Sequence, residues 1–134
     1  MSSTPTMFPT FLYRDAKAAI RLLKEGFGFT EIAVYEGEGG LIEHAELAYG
    51  NGAVMLGSKG RAGQFAQLMA DAGPTSVYIV VTDADAHHKR AEEFGVEILM
   101  PPTDQEHGSR DYMARDHEGN VWCFGTYVPG ALAG

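Results

Sequence analysis

The chain is short of cysteine and of positive charge. One cysteine, Cys123, stands among 134 residues, so no intramolecular disulfide framework can form and a reducing compartment is expected. Lys and Arg number 10 against 18 Asp and Glu, a formal net charge of −8, and the cations are scattered along the chain. Nucleic acids and anionic bilayers are held by a cationic footprint, so neither is an expected partner. No uninterrupted apolar stretch is long enough to span a bilayer. Residues 1–6 show no charged n-region followed by an apolar run, which argues against a signal peptide. The glycine-rich stretches 37–40 and 57–63 lack the Lys-Ser or Lys-Thr of a phosphate loop, so nucleotide binding is unsupported. These absences leave a soluble, cytoplasmic protein of ordinary globular composition, 45% apolar, as the expectation.

What the chain does contain is a repetition. Residues 14–29 read as a strand end, an Asp, an alanine-rich helix and Phe27-Gly28-Phe29. Residues 82–96 read as a strand end, an Asp, an alanine-rich helix and Phe94-Gly95-Val96. Residues 43–56 and 111–124 then each suggest two strands around a Gly-Asn type turn. A period of roughly 67 residues is longer than a solenoid repeat and describes a duplicated supersecondary module. A chain of this length is most simply one domain, 1–134, with module one over about 7–57, a connector over about 58–75 and module two over about 76–128.

In module one the pattern predicts a strand over 8–13 entered through Pro9. A helix follows, capped by Asp15, with Ala16, Ile20, Leu23 and Phe27 on one face and Gly26 and Gly28 ending it. A strand over 30–35 and a glycine-rich turn lead to a hairpin, 41–49 and 53–57, around Gly50-Asn51-Gly52. The connector holds a short helix over 64–72. Module two restarts with a strand over 77–81, Asp83 as cap and a helix over 85–94. A strand over 97–100 is expected to stop at Pro101-Pro102, ahead of a polar loop over 103–109. Strands over 111–115 and 121–127 complete the module. The fold class is α+β, two strand-helix-strand-strand-strand modules.

Arg14-Asp15-Ala16, Gly26-Phe27-Gly28-Phe29, His44-Ala45-Glu46-Leu47, Asp116-His117-Glu118-Gly119-Asn120-Val121-Trp122 and the ending Trp122-Cys123-Phe124-Gly125-Thr126-Tyr127 resemble the vicinal oxygen chelate superfamily. That superfamily takes in glyoxalases, bleomycin-resistance proteins and dioxygenases, and the small single-chain glyoxalase-like branch matches best. The resemblance implies a curved, half-barrel-like mixed sheet with helices on the convex face, a site in the concave face, and a homodimer. In bleomycin-resistance relatives a proline in the first strand lets an N-terminal arm cross to the partner. Pro9 suits that role, and equally suits the start of an edge strand.

Metal-dependent members place one ligand, usually His or Glu, on the first strand and one on the last strand of each module. The matching positions here are Phe8, Met55, Val77 and Cys123. An apolar pair, a thioether and one thiol do not make a site for zinc, iron or manganese. The expectation is a chain with neither metal nor other cofactor.

Strand alternation supplies the rest of the site. If Met55 points into the cleft, then His44 and Glu46 do too, while Leu47, Val54 and Leu56 face the helices. On the last strand Val121 and Cys123 face inward, and Trp122 and Phe124 pack under a helix. Glu46 needs a partner, for which His44, Arg110, Arg115 or a cationic ligand group are candidates. The His44–Glu46 pair reads either as a general base with its orienter or as a polar pair at the cleft rim. His87-His88 sits on a predicted helix with one ring exposed and reads as surface rather than metal-binding, His107 and His117 read as loop residues, and Cys123 as a buried, inert thiol.

The expected function is therefore binding of a small, partly apolar molecule, as in proteins that sequester an antibiotic. Phe8, Leu12, Met55, Val77 and Cys123 would line the site, with His44 and Glu46 supplying polarity. The alternatives are a lyase, isomerase or dioxygenase that uses a displaced metal or the His44/Glu46 pair, and a dimer serving as an interaction module.

Overall fold

The computed structural model describes residues 4–106 and 108–130, so His107 lies outside the described residues. The chain divides into two compact units, Met1–Gly73 and Pro74–Gly134, and the expected connector packs almost wholly with the first.

The first unit runs β1 (Thr10–Tyr13), α1 (Ala16–Arg21), β2 (Thr30–Glu36), β3 (Ile42–Tyr49), β4 (Gly52–Ser58) and α2 (Gln64–Leu68). The second runs β5 (Ser76–Val80), α3 (Ala84–Phe94), β6 (Glu97–Asp104), β7 (Arg110–Arg115) and β8 (Val121–Gly125). Each unit forms a four-stranded mixed sheet, ordered β1-β4-β3-β2 in one and β5-β8-β7-β6 in the other. In both, the first strand pairs parallel to the last and the other pairings are antiparallel. The duplication legible in the sequence is thus a duplicated topology.

α1 and α3 start by the same device. Asp15 accepts the Ala18 amide at 3.0 Å, and Asp83 accepts the Ala86 amide at 3.0 Å, each satisfying a first-turn N–H that has no helical partner. α3 ends at Gly95, whose φ of 101° suits the left-handed cap. α1 does not end where its α-helical bonding stops. It widens into a π turn, Leu22–Gly26, in which the Phe27 amide reaches back to the Leu22 carbonyl at 3.1 Å. Leu22, Leu23 and Phe27 are all buried there, one apolar residue more than regular helical spacing predicts. Gly26 belongs to this turn, so the chain reverses at Gly28 alone, at φ 79°.

One strand expectation and one helix expectation need correction. β6 does not stop at Pro101-Pro102 but continues to Asp104. It is the edge strand of its sheet, and its pairing skips from Met100–Met113 to Thr103–Asp111, so neither proline is asked for a ladder hydrogen bond. The connector helix is also shorter than expected, closing at Leu68.

One face of each sheet is core. Phe11, Tyr13, Ala45, Leu47, Val54 and Leu56 are buried in the first unit with Ala19, Ile20 and Leu23 of α1. Full burial of each large apolar side chain contributes about 1.5–3 kcal/mol. In the second unit Tyr112, Ala114, Trp122 and Phe124 are fully buried. His87 of α3 joins them. Its ring lies 4.3 Å from that of Phe124 and its Nδ1 is 2.5 Å from the Tyr112 hydroxyl. Of the His87-His88 pair, α3 turns position 87 onto the sheet and leaves His88 half-buried. Among the described residues no helix is long and apolar enough to cross a membrane.

Candidate functional site: the open sheet faces

The other face of the first sheet is set by register. β3 pairs Glu46 with Met55 and Leu47 with Val54 across the hairpin, and directly paired residues share a face. Leu47, Val54 and Leu56 point into the core, so Glu46 and Met55 stand on the open side with His44 two residues away. On β1, Thr10 is abreast of Met55 and Leu12 abreast of Gly57. On β2, Ala33 is abreast of Glu46 and Tyr35 abreast of His44. One row therefore reads Thr10, Met55, Glu46, Ala33 across four strands.

His44 and Glu46 meet, Nε2 to Oε2, at 2.8 Å. An ionised carboxylate only accepts, so Nε2 carries the proton and Nδ1 keeps the ring's lone pair. The Tyr35 ring stacks near the imidazole, with centroids 6.3 Å apart and planes at 23°. The two side chains keep 40% and 39% of their exposure, so water still reaches the pair and its net contribution to stability is about 0–1 kcal/mol. Of the partners open to Glu46, His44 is the one that binds it. Arg110 lies on the core side and is held by Asp85 and Asp104, while Arg115, on the open side, pairs with Glu97.

In the second sheet the open face carries Tyr78 abreast of Cys123 and Met113, with Val80, Gly125 and Asp111 in the next row. Val77, expected beside Cys123, is instead abreast of Trp122, one residue out of step with the open side. Its place is taken by Tyr78. Phe8 likewise precedes the paired part of β1 and is exposed, and Thr10 stands beside Met55. A side chain at Gly125 would run into the Asp111 carboxylate and the Tyr78 hydroxyl, so the glycine makes room for both. Asp111 accepts a short hydrogen bond from Ser109, Ser109 accepts the Tyr127 amide at 3.1 Å, and the Tyr78 hydroxyl donates to the Tyr127 carbonyl at 2.7 Å. Burial pushes the Cys123 thiol pKa up, and the Asp111 charge adds to the effect. The Tyr78 phenol is raised mainly by burial as well, against an opposing hydrogen bond with Ser109.

The fit of a metal can be judged on this donor set. β1 and β4 offer the hydroxyl of Thr10 and the thioether of Met55; β5 and β8 offer the phenol of Tyr78 and a thiol held protonated. Hard or borderline divalent ions take carboxylate, imidazole or thiolate, so neither sheet's pair fits one. Among the described residues no group of three His, Cys, Asp or Glu converges as a cage.

Sequence reasoning placed His44, Glu46, Met55, Leu12 and Cys123 on the open faces, where register also puts them. It missed Tyr35, Thr10, Tyr78 and Asp111. The irregular pairing in β2, between Glu31 and Ala33 and again between Tyr35 and Glu36, hides the phase of that strand from any count by twos.

Comparison with known proteins agrees with this architecture. The family model of the glyoxalase/bleomycin resistance protein/dioxygenase superfamily matches residues 9–124. An uncharacterized protein of Mycobacterium tuberculosis, Rv0887c, is 28% identical over 128 residues, covering 92% of this chain and 75% of its own. The crystal structure of TioX from Micromonospora sp. ML1 is similar at 30% identity and a TM-score of 0.74, covering 92% of this chain and all of that one. The fosfomycin resistance protein FosX of Mesorhizobium loti shares the fold at 18% identity and a TM-score of 0.64, covering 95% of each chain. With its twice-repeated strand order and a family match over most of its length, the chain belongs to the glyoxalase/bleomycin resistance protein/dioxygenase superfamily.

Proposed function

We propose that this protein binds a small, partly apolar molecule on the open face of its first sheet, without a metal ion. The observation that carries the reading is the juxtaposition of Met55 with Glu46, flanked by the Tyr35–His44 stack and by Leu12. Apolar and aromatic surface removes ligand carbon from water, and one fixed carboxylate–imidazole pair orients a polar group, the usual composition of a small-molecule site. A neighbour named for fosfomycin resistance makes sequestration of an antibiotic a concrete version of this function. A net charge of −8 favours a neutral or cationic ligand. The protein acts as a homodimer in this proposal, with Pro9 either letting the N-terminal arm cross or simply opening an edge strand.

The test is a thermal-shift panel of divalent metals, glycopeptide and aromatic antibiotics, and glutathione adducts. A binder at a hundred times its dissociation constant stabilises the fold by about 2.7 kcal/mol. The reading expects an organic ligand to give such a shift, Met55→Glu to abolish it, and metals to give none. Stoichiometric metal in chelator-free protein, lost in His44→Ala, would overturn it.

The 2.8 Å His44–Glu46 contact favours one second reading, a metal-free lyase or isomerase. His44 Nδ1 would take a proton next to a substrate carbonyl while Glu46 holds the ring and stabilises the imidazolium. Glu46→Gln would then lose turnover and keep binding, whereas pure binding leaves no turnover to lose.

A further inference from the structure

Beside the open-face rows, the first unit has a groove of about 590 Å³, a volume typical of small-molecule sites. Its walls come from two segments. The β2–β3 connection supplies Gly37, Glu38 and Gly39, with Glu43 at the start of β3, and the loop after β4 supplies Gly60 and Arg61. A Cβ at Gly39 or Gly60 would meet nothing within 4 Å, so these walls stand clear of other side chains.

Arg61 is fixed at its base and free at its tip. Its Nε donates to the Ser58 carbonyl at 3.2 Å, which leaves the two terminal nitrogens as donors. One of them, Nη2, lies 3.3 Å from where a Gly57 Cβ would stand, and the Glu43 carbonyl lies 3.2 Å from the same point. Glycine at 57 therefore gives the guanidinium a place to lie against the strand. Arg61 is half-buried, yet among the described residues no carboxylate comes within ion-pair distance of it. Glu43 leans the other way, its Oε2 2.8 Å from a Gly37 Cβ position, and neither it nor Glu38 forms an ion pair with a described residue.

A groove lined by one anchored cation and two acids, not paired with one another, is complementary to a molecule carrying both charges. A guanidinium fork with its terminal nitrogens open suits a carboxylate, and carboxylates suit an ammonium group. We propose that this groove is a second binding site, for a small zwitterion of the dipeptide class. Arg61 receives the carboxylate, Glu38 and Glu43 receive the ammonium group, and the glycine backbone lies alongside. Arg61 lies over Gly57, which is abreast of Leu12, so the groove borders the open face; Gly37, Gly39 and Gly60 lie outside the rows around Met55, so shifts at their amides report the groove itself.

The experiment is a titration of the full ¹⁵N-labelled chain with L-alanyl-L-alanine, followed at the amides of Gly37, Gly39 and Gly60. Saturable shifts at these three are expected. N-acetyl-alanyl-alanine, which lacks the ammonium group, and alanyl-alanine amide, which lacks the carboxylate, should each bind about tenfold more weakly, the loss of one charge-assisted contact. Arg61→Gln should weaken the parent dipeptide by a similar factor. No saturable shift overturns the proposal. So does equal binding of the acetylated probe, which would mark a plain anion site, or undiminished binding in Arg61→Gln. The two blocked probes act on unmodified protein, so the test stands even if the variant folds poorly.

Discussion

Trp122 donates its indole N–H to the carboxylate of Asp116 at 3.1 Å, and both side chains are almost wholly removed from solvent. The same carboxylate accepts the amides of Glu118 and Asn120, each at 3.0 Å, and the Asn120 side-chain amide at 3.1 Å. One acid thus closes the β7–β8 turn from within and seats the largest core residue of the second unit.

Asp116→Ala strands several buried donors at once. Each unsatisfied group costs about 1–3 kcal/mol, so a loss of about 3 kcal/mol or more is expected in urea denaturation. Asp116→Asn keeps an acceptor and should lose distinctly less. A cost under about 1 kcal/mol for the alanine variant would show that the clasp is not holding the turn.

The two faces of β3 make a sharper contrast. Leu47 is fully buried, and Leu47→Ala should destabilise the protein by about 2–5 kcal/mol through lost burial and the cavity left behind. Glu46→Ala, next along the same strand, should cost about 1 kcal/mol or less because its contact with His44 is solvated. Chemical denaturation of both variants checks the phase of the strand directly, and similar losses would mean that the faces are misassigned.

The Arg110 fork grips Asp85 through two nitrogens, both at 3.0 Å. Those hydrogen bonds hold the Asp85 carboxyl below its usual 3.8. A lowered carboxylate contributes stability that is present above the unfolded value and disappears as pH falls through the folded one, so the effect is confined to strongly acidic solution. Asp85 side-chain NMR in Arg110→Gln should show its midpoint returning toward 3.8. An unchanged midpoint would mean that the fork seen here does not form in solution.

Cys123 should be a slow thiol. Burial, and then the neighbouring Asp111 charge, raise its pKa above the ordinary 9.0, which lowers the thiolate fraction at neutral pH. Iodoacetamide at pH 8 should label it more slowly than it labels a cysteine in an unfolded peptide, and Asp111→Asn should speed the reaction somewhat. Labelling as fast as the peptide would contradict the environment described.

Local chemistry made much of this legible in advance. Asp15 and Asp83 announced their helices because a side-chain acceptor before an alanine-rich run has one good use. The hairpin around Gly50-Asn51 is equally local: Gly50 takes φ 58° at the first turn position, and its length fixes which residues of β3 and β4 share a face. That is why His44, Glu46 and Met55 could be grouped from sequence. Pro101-Pro102 misled because a proline forbids a ladder bond only where one is required, and whether β6 is an edge strand is not written nearby.

The sequence by itself determined the duplicated module, its helix starts, its hairpins and the alternation of core and open residues within them, since each depends on neighbours a few positions apart. Only the tertiary structure decided that Tyr78 rather than Val77 stands beside Cys123, that Tyr35 lies over His44, and that His87 is core. The bulges of β2 break the alternation locally, and parallel pairing of β5 with β8 and the seating of α3 on its sheet join segments about 25 to 45 residues apart. Their register follows from how whole surfaces pack, for which no short stretch of chain carries the phase.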